Sequence, residues 1–411
     1  MKTIKKMKTM KTMKTMKTMK TIKEYGYIFL ASVIMISLTS CGNDSDPAPI
    51  PTPVVNTTYQ GDITEDVTWT SNNIYTLDGR VMVIDGVTLT IESGTIIKGA
   101  AGTGADASCL VIARGGKIMA NGTEIDPIVF TSIADDITDG KSGFGTGLSS
   151  ADQGLWGGIL ILGKADISAD ANPKQIEGIP VEETNGLYGG GNTNNNNDNS
   201  GVFHYVQIRH GGAEIGEGNE INGLTLGGVG SGTSIHHVEI IANLDDGLEC
   251  FGGSVDISNV LVWGQGDDAF DIDQSYSGNI DNFLGILVDG DQGLEIDGWE
   301  GTMQADFTLT NGTIIGAVGE KNNCGTFKSN ASGSVTNMLF TNMKLGATLT
   351  VDAGVTGITF SNMSFDSGTD FSTTLIDGLG GIDFDANTSS NGGANLDNFN
   401  NWTCASTMGA Y

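Results

Sequence analysis

Three short segments of the chain align on their acidic residues. They are Asn243-Leu244-Asp245-Asp246-Gly247-Leu248-Glu249-Cys250-Phe251, Gln265-Gly266-Asp267-Asp268-Ala269-Phe270-Asp271-Ile272-Asp273 and Asp289-Gly290-Asp291-Gln292-Gly293-Leu294-Glu295-Ile296-Asp297. Carboxylates recurring at fixed spacing support two chemistries: acid–base hydrolysis by a carboxyl pair and coordination of a hard cation by several oxygens. Asp245 lies 22 residues before Asp267, and Asp267 lies 24 before Asp291. A period of this length with strand–turn–strand content means a solenoid. The Leu/Asn consensus of leucine-rich repeats is absent, and a propeller blade needs about twice the period. The fold class that follows is all-β: a right-handed parallel β-helix, with coils stacked at about 4.8 Å. Alternation then points Leu248, Phe270 and Leu294 inward, together with Cys250, Ile272 and Ile296. Glu249, Asp271 and Glu295 point outward as an acidic ladder. Asp273 and Asp297 extend it, and Asp245, Asp267 and Asp291 flank it at the turn. Like charges stacked at this spacing repel, so something must offset them: solvent and salt, Asn/Gly donors, a shared proton or a cation.

Pectin-active glycosidases are also β-helices, and two of their motifs have counterparts here. Asn243-Leu244-Asp245 resembles their Asn-x-Asp, and Gly266-Asp267-Asp268 resembles the Asp-Asp one coil later. That resemblance implies Asp245, Asp267 and Asp268 as catalytic candidates. The next coil departs from it: Gly290-Asp291-Gln292-Gly293 has no His, and no Arg-x-Lys follows. Calcium is the second reading of the same region, with Asp267, Asp271, Asp273, Asp291, Glu295 and Asp297 as ligands. A lyase needs a basic residue to remove a proton, and only Arg80, Arg114 and Arg209 occur among the arginines.

Other residue types are less organised. The four histidines are His204, His210, His236 and His237. His236 and His237 are adjacent, so strand alternation sends them to opposite faces. Arg209-His210-Gly211-Gly212, near an Asn-rich stretch, is the most suggestive ligand-binding group of the set. Trp156, Tyr188, Trp263, Trp299 and Trp402 are candidates for a sugar platform; Trp299 stands beside the ladder. Beyond Cys41, the cysteines are Cys109, Cys250, Cys324 and Cys404. Cys250 reads as a buried thiol, and Cys324 with Cys404 is the least implausible bridge.

The elements that position these residues are short β-rich runs, such as Val87-Thr88-Leu89-Thr90-Ile91 and Gly158-Ile159-Leu160-Ile161-Leu162, punctuated by Gly, Asn and Asp. There are 61 Gly and 7 Pro in 411 residues. Residues 61–360 read as the β-helix, with loop insertions near 134–157 and 163–201. Residues 361–411 read as final coils and a cap over the last open edge. The formal charge is −29, but the first 40 residues hold nine lysines and one glutamate. After them, 11 basic and 48 acidic residues remain, a balance of −37. Such a body repels nucleic acid. Residues 1–40 form a basic leader with a short apolar run, Tyr27 to Leu38, which is too short to span a bilayer and fits a secretory signal. Leu38-Thr39-Ser40-Cys41 resembles a bacterial lipobox, with Cys41 as the lipidated residue. Residues 41–60, with Pro47, Pro49, Pro51 and Pro53, read as a flexible tether.

Three stretches carry a family resemblance. Leu110-Val111-Ile112-Ala113-Arg114-Gly115-Gly116-Lys117-Ile118-Met119-Ala120-Asn121-Gly122-Thr123, closing on Pro127-Ile128-Val129-Phe130-Thr131-Ser132, is one. The others are Leu155-Trp156-Gly157-Gly158-Ile159-Leu160-Ile161-Leu162-Gly163 and Ile221-Asn222-Gly223-Leu224-Thr225-Leu226-Gly227-Gly228-Val229-Gly230. Together they resemble secreted β-helix lipoproteins of Bacteroidetes over residues 75–300. The resemblance implies a surface location and a β-helix; it implies no established activity. The leading reading is therefore an outer-membrane lipoprotein facing the cell exterior, without assigned catalysis, presenting an acidic flank to polysaccharide, a surface protein or calcium. The rival is a carbohydrate-active enzyme, hydrolase or lyase, working through Asp245, Asp267 and Asp268. Both classes occur on this fold.

Overall fold

The computed structural model describes residues 55–190, 195–216, 219–317, 323–344, 346–365, 376–377, 386–387 and 392–411. The leader, the lipidation candidate Cys41 and most of the tether lie outside the described residues. The first strand, Val55–Ile63, begins within the expected tether. It pairs in parallel with Asn73–Val83, because the β-branched and aromatic residues after Pro53 suit a pleated edge. From there to Phe365 the described residues form a parallel β-helix, interrupted by two small antiparallel pairs, Lys174–Gln175 with Leu187–Tyr188 and Glu214–Gly216 with Asn219–Glu220. Each strand of the large sheet hydrogen-bonds to its counterpart one coil away, as Leu248–Phe251 does with Phe270–Asp273, and Ile257–Trp263 with Asn279–Ile286.

The register sorts side chains into columns. Leu110, Ile159, Leu224, Leu248, Phe270 and Leu294 pair in succession and form one buried interior row. One step along, an outward column runs Met82, Val111, Leu160, Thr225, Glu249, Asp271, Glu295, Thr326 and Thr350. Its upper part is apolar and its middle is the acidic ladder. A third column is made of residues in the left-handed conformation: Asn259, Asn282, Asn311, Asn337 and Asn362, with φ between 53° and 58°. Asn is among the few L-residues that enter this region readily. Its side chains bond from coil to coil, as in Asn282 Nδ2 to Asn259 Oδ1 at 2.7 Å and Asn337 Nδ2 to Asn311 Oδ1 at 2.6 Å. His237, at φ 55°, has the same conformation. The bend there breaks strand alternation, so His236 and His237 do not face opposite sides: their Nδ1 atoms are 2.9 Å apart.

Two outward faces are roofed. The 163–201 insertion puts Ile167, Ile176, Ile179 and Tyr188 over Met82, Val111, Leu160 and Leu162. On another face, Leu261, Leu284 and Ile286 lie beneath Phe399, Trp402 and Ala405 of the C-terminal segment. Residues 392–411 lie along a flank as a strap, because that flank would otherwise expose an apolar column. The final coils expected in 361–411 are represented by Ile376–Asp377 and Ala386–Asn387, which pair in parallel with the preceding coil; most of 366–391, where a cap would fall, lies outside the described residues. Asn395 N–H donates to Asn282 Oδ1 (2.6 Å), and Cys404 and Ala405 N–H donate to the two carboxylate oxygens of buried Glu239 (2.9 Å each). The expected Cys324–Cys404 bridge does not form. All four described cysteines are free and buried; Cys324 belongs to the interior core, and Cys404 packs against Ile241 and Ala242 under the strap. Cys250 is the buried thiol expected.

Burial raises the Glu239 carboxyl from 4.5 to about 7, against the opposing pull of Arg209 and the two amides. A raised acid favours folding below its unfolded pKa and loses that contribution as pH climbs through its folded one. Hydrogen-exchange protection of the Cys404 and Ala405 amides is thus expected to fall between about pH 4.5 and 7, after correction for intrinsic rates, and Glu239→Gln should flatten the profile. Trp402→Ala should cost about 3–5 kcal/mol in chemical denaturation, the scale for emptying a buried aromatic site.

Candidate acidic site beneath the insertion

The stacked register brings the acids together as the alignment implied, and adds one member that it did not single out, Asp246. Oxygens of Asp246, Glu249 and Asp271 lie within 4.8 Å of one another, as do those of Asp268, Asp271 and Glu295. Asp271 belongs to both groups. Two further groups, Asp245–Asp246–Asp267 and Asp267–Asp268–Asp291, extend the cluster to its rim. Of the six residues expected to hold calcium, Asp267, Asp271, Asp291 and Glu295 fall in these groups. Asp273 and Asp297 fall in none. Asp297 pairs instead with Lys328 at 3.3 Å, and Lys328 also binds Glu295 at 2.6 Å. Asp246 was the member of the cluster hardest to foresee. Its signal was the turn column Asp246–Asp268–Gln292: Asp268 N–H donates to Asp246 Oδ1 (2.8 Å), and Gln292 N–H to Asp268 Oδ1 (3.1 Å).

The acids point out of the coil, yet they are not in water. Glu249 is 5 % exposed, Asp268 2 % and Asp271 8 %. The insertion accounts for part of this cover: the Tyr188 ring packs on Phe251, its hydroxyl donates to Gln274 Oε1 (3.1 Å), and Glu177 is close enough to act on Glu249. Burial raises the carboxyls of Asp246, Glu249 and Asp271 well above the usual range, and neighbouring carboxylates raise them further. The same causes lift Asp268 to about 9. Hydrogen bonds do not complete the site. Asn222 Nδ2 donates to Glu249 Oε2, but Asp271 Oδ1 and Asn222 Oδ1 are buried without a partner. Buried polar atoms are rarely left so.

The other expected site residues are structural. Arg209 and His210 are fully buried. Arg209 donates to the carbonyls of Gly143 (3.0 Å) and Ser142 (3.2 Å), and His210 Nδ1 is 2.7 Å from the Asp152 carbonyl. They pin the 134–157 insertion, which closes them to ligand. Trp156, Tyr188 and Trp402 are buried as well, so they form no sugar platform; Trp156 Nε1 donates to the Arg209 carbonyl at 2.8 Å. Trp263 is half-buried against Phe144, and Trp299 is half-buried near the ladder.

The sequence matches the family model described as a pectate-lyase-like β-helix domain over residues 61–407. The chain belongs to this family. No curated protein and no solved structure matches it. Membership in a pectate-lyase-like β-helix family establishes the scaffold; chemistry has to be argued from the site. Here the site is a row of carboxylates in which, among the described residues, Lys328 at the Glu295 end is the cation in direct contact.

Asp271→Asn tests that reading of the electrostatics. In chelator the substitution removes a buried like charge and gives the row an amide donor, so stability should rise by about 1–3 kcal/mol, the scale of one unsatisfied buried group. The check is chemical denaturation at a pH where neighbouring acids are ionised; destabilisation under those conditions would contradict it.

Proposed function

We propose that this chain is a lipid-anchored outer-membrane protein facing the cell exterior, whose β-helix is a binding module for glycan or a partner protein, with calcium closing its carboxylate row. The observation that carries the reading is the burial of the ladder's centre. Asp268, a candidate catalytic acid, is 2 % exposed, and Asp246 behind Asp245 is buried too. Asp245 and Asp267 offer oxygens within 4.8 Å of each other. Inverting hydrolysis needs about 6.5–9.5 Å between the carboxyl groups, to seat a water. A row of close carboxylates that is sheltered at its centre and holds the unpartnered Asp271 Oδ1 suits a hard cation better than a sugar ring. The buried Asp271 Oδ1 supports a cation independently of the crowding of charge, because it lacks any donor. Anchoring rests on Leu38-Thr39-Ser40-Cys41 and the basic leader before it. Two or more acyl chains at Cys41 would hold the protein firmly to the bilayer.

Two experiments test the reading. Full-length protein is screened on a glycan array and in reducing-end assays, with Asp267→Asn alongside. Binding without product formation is expected, and products abolished by that substitution would establish the enzyme instead. For location, Cys41→Ala should move the protein out of the membrane fraction; retention there would defeat the lipoprotein reading.

A further inference from the structure

A different pocket, away from the acidic row, carries the opposite charge. It has a volume of about 390 Å³ and is lined by Asp85, Ala113, Arg114, Lys164, Thr184, Asn185 and Leu187. It is lined from the turns at Asp85–Gly86 and Arg114–Gly115 and from Lys164, just after the strand Ile159–Leu162. The first two are joined by Gly86 N–H donating to the Gly115 carbonyl (3.0 Å). The rest of the lining comes from the short 3₁₀ turn Thr184–Gly186 of the insertion and the residue after it. Only 11 basic residues follow Cys41, against 48 acids, so two of them lining one cavity with a single carboxylate is a local reversal of charge. Lys174 and Lys328, by contrast, each bridge two carboxylates elsewhere: Asp170 with Glu300, and Glu295 with Asp297.

The two cations here are incompletely used. Arg114 Nη1 donates to the Gly189 carbonyl at 2.9 Å. A guanidinium has five donors in a planar fork, so the others remain for a ligand. Lys164 Nζ lies 3.3 Å from Asp85 Oδ1, a pair whose carboxylate side is 75 % exposed, and such a pair holds little free energy. Gly115 makes the arrangement possible. It sits at φ +86°, and a Cβ there would fall 1.7 Å from Asp85 Oδ1 and 2.5 Å from Lys164 Nζ. The lining side chains thus carry a net single positive charge, with Glu183 accepting from the Asn185 N–H and Asp198 near Lys164 just outside them, and they offer a planar donor fork, a hydroxyl (Thr184), an amide (Asn185) and one apolar side chain (Leu187). A fork suits a planar carboxylate or a sulfate oxygen pair. The hydroxyl and amide suit sugar hydroxyls, and the apolar side chain suits the C–H face of a ring. The volume is within the range of small-molecule sites.

We propose that this pocket binds a monoanionic sugar unit, one carrying a single carboxylate or sulfate ester, and that it supplies glycan specificity to the binding module. The proposal rests on the binding-module reading above, and names where the module grips and which charge it selects. The net charge of the body opposes such a ligand at long range, so selection comes from the pocket at contact distance, inside a Debye length of about 8–10 Å.

The test is calorimetric titration of the full-length protein with glucuronic acid, galactose 6-sulfate and neutral galactose. Saturable binding of at least one charged sugar and none of the neutral one is expected; which of the two binds separates carboxylate from sulfate. Lys164→Gln should weaken that binding about tenfold, and Arg114→Gln at least as much. Asp85→Asn should act in the opposite direction, tightening binding several-fold, because it frees Lys164 and removes the competing carboxylate. This gain is the decisive arm, since a misfolded variant cannot produce it. Absence of saturable binding, equal binding of galactose, or indifference to both Lys164→Gln and Asp85→Asn overturns the pocket. If glycan-array binding persists unchanged in Lys164→Gln, the module reading survives while the pocket is wrong. If neither array nor free sugars bind, both fall.

Discussion

In-register stacking of parallel coils is the constraint on which the rest depends. A strand that pairs with its neighbour residue for residue places each side chain beside its counterpart one coil away, at about 4.8 Å. For Leu248, Phe270 and Leu294 this repetition builds a core. For Asn311, Asn337 and Asn362 it builds an amide ladder at a bend that few other residues would accept. For Glu249, Asp271 and Glu295 the same repetition sets carboxylate against carboxylate. The geometry that makes the fold cheap to extend makes this column costly.

The insertions convert that cost into a site. An exposed acidic column would be screened by water and salt. Here much of the column is sheltered, with Tyr188 and Glu177 of the 163–201 insertion close by, and desolvation becomes the main force raising these carboxyls. A sheltered row of like charges must take up protons or hold a cation. The apolar upper part of the same column, Met82, Val111 and Leu160, explains why the insertion lies there. One continuous column therefore supplies both the hydrophobic patch that docks the cover and the acids the cover helps to shelter. The same logic acts on the opposite flank, where the strap covers Leu261 and Leu284 and brings its amides to Glu239.

Much of this was legible in the sequence wherever a signal repeats. The 22- and 24-residue spacing of the aspartates gave away the coils, the inward row and the outward ladder, since register follows from period. What escaped were contacts between segments far apart in the chain. Arg209 and His210 looked like ligand-binding residues because nothing local shows that Ser142, Gly143 and Asp152 would come back to satisfy them. Trp402 looked like a platform, though a strap buries it 195 residues away against Gln207. The His236–His237 pair misled for a different reason: strand alternation fails at a left-handed residue, and the Asn column that marks this bend from coil to coil was the available clue.

The central claim is that the buried carboxylate row is neutralised by a divalent cation and is not a hydrolytic centre. The most direct measurement is thermal melting of the full-length protein at fixed pH in chelator and with added calcium. A cation bound only by the native row must raise the midpoint as its concentration rises above its dissociation constant, and that rise should vanish in Asp271→Asn. Coincident midpoints with and without calcium would contradict the account.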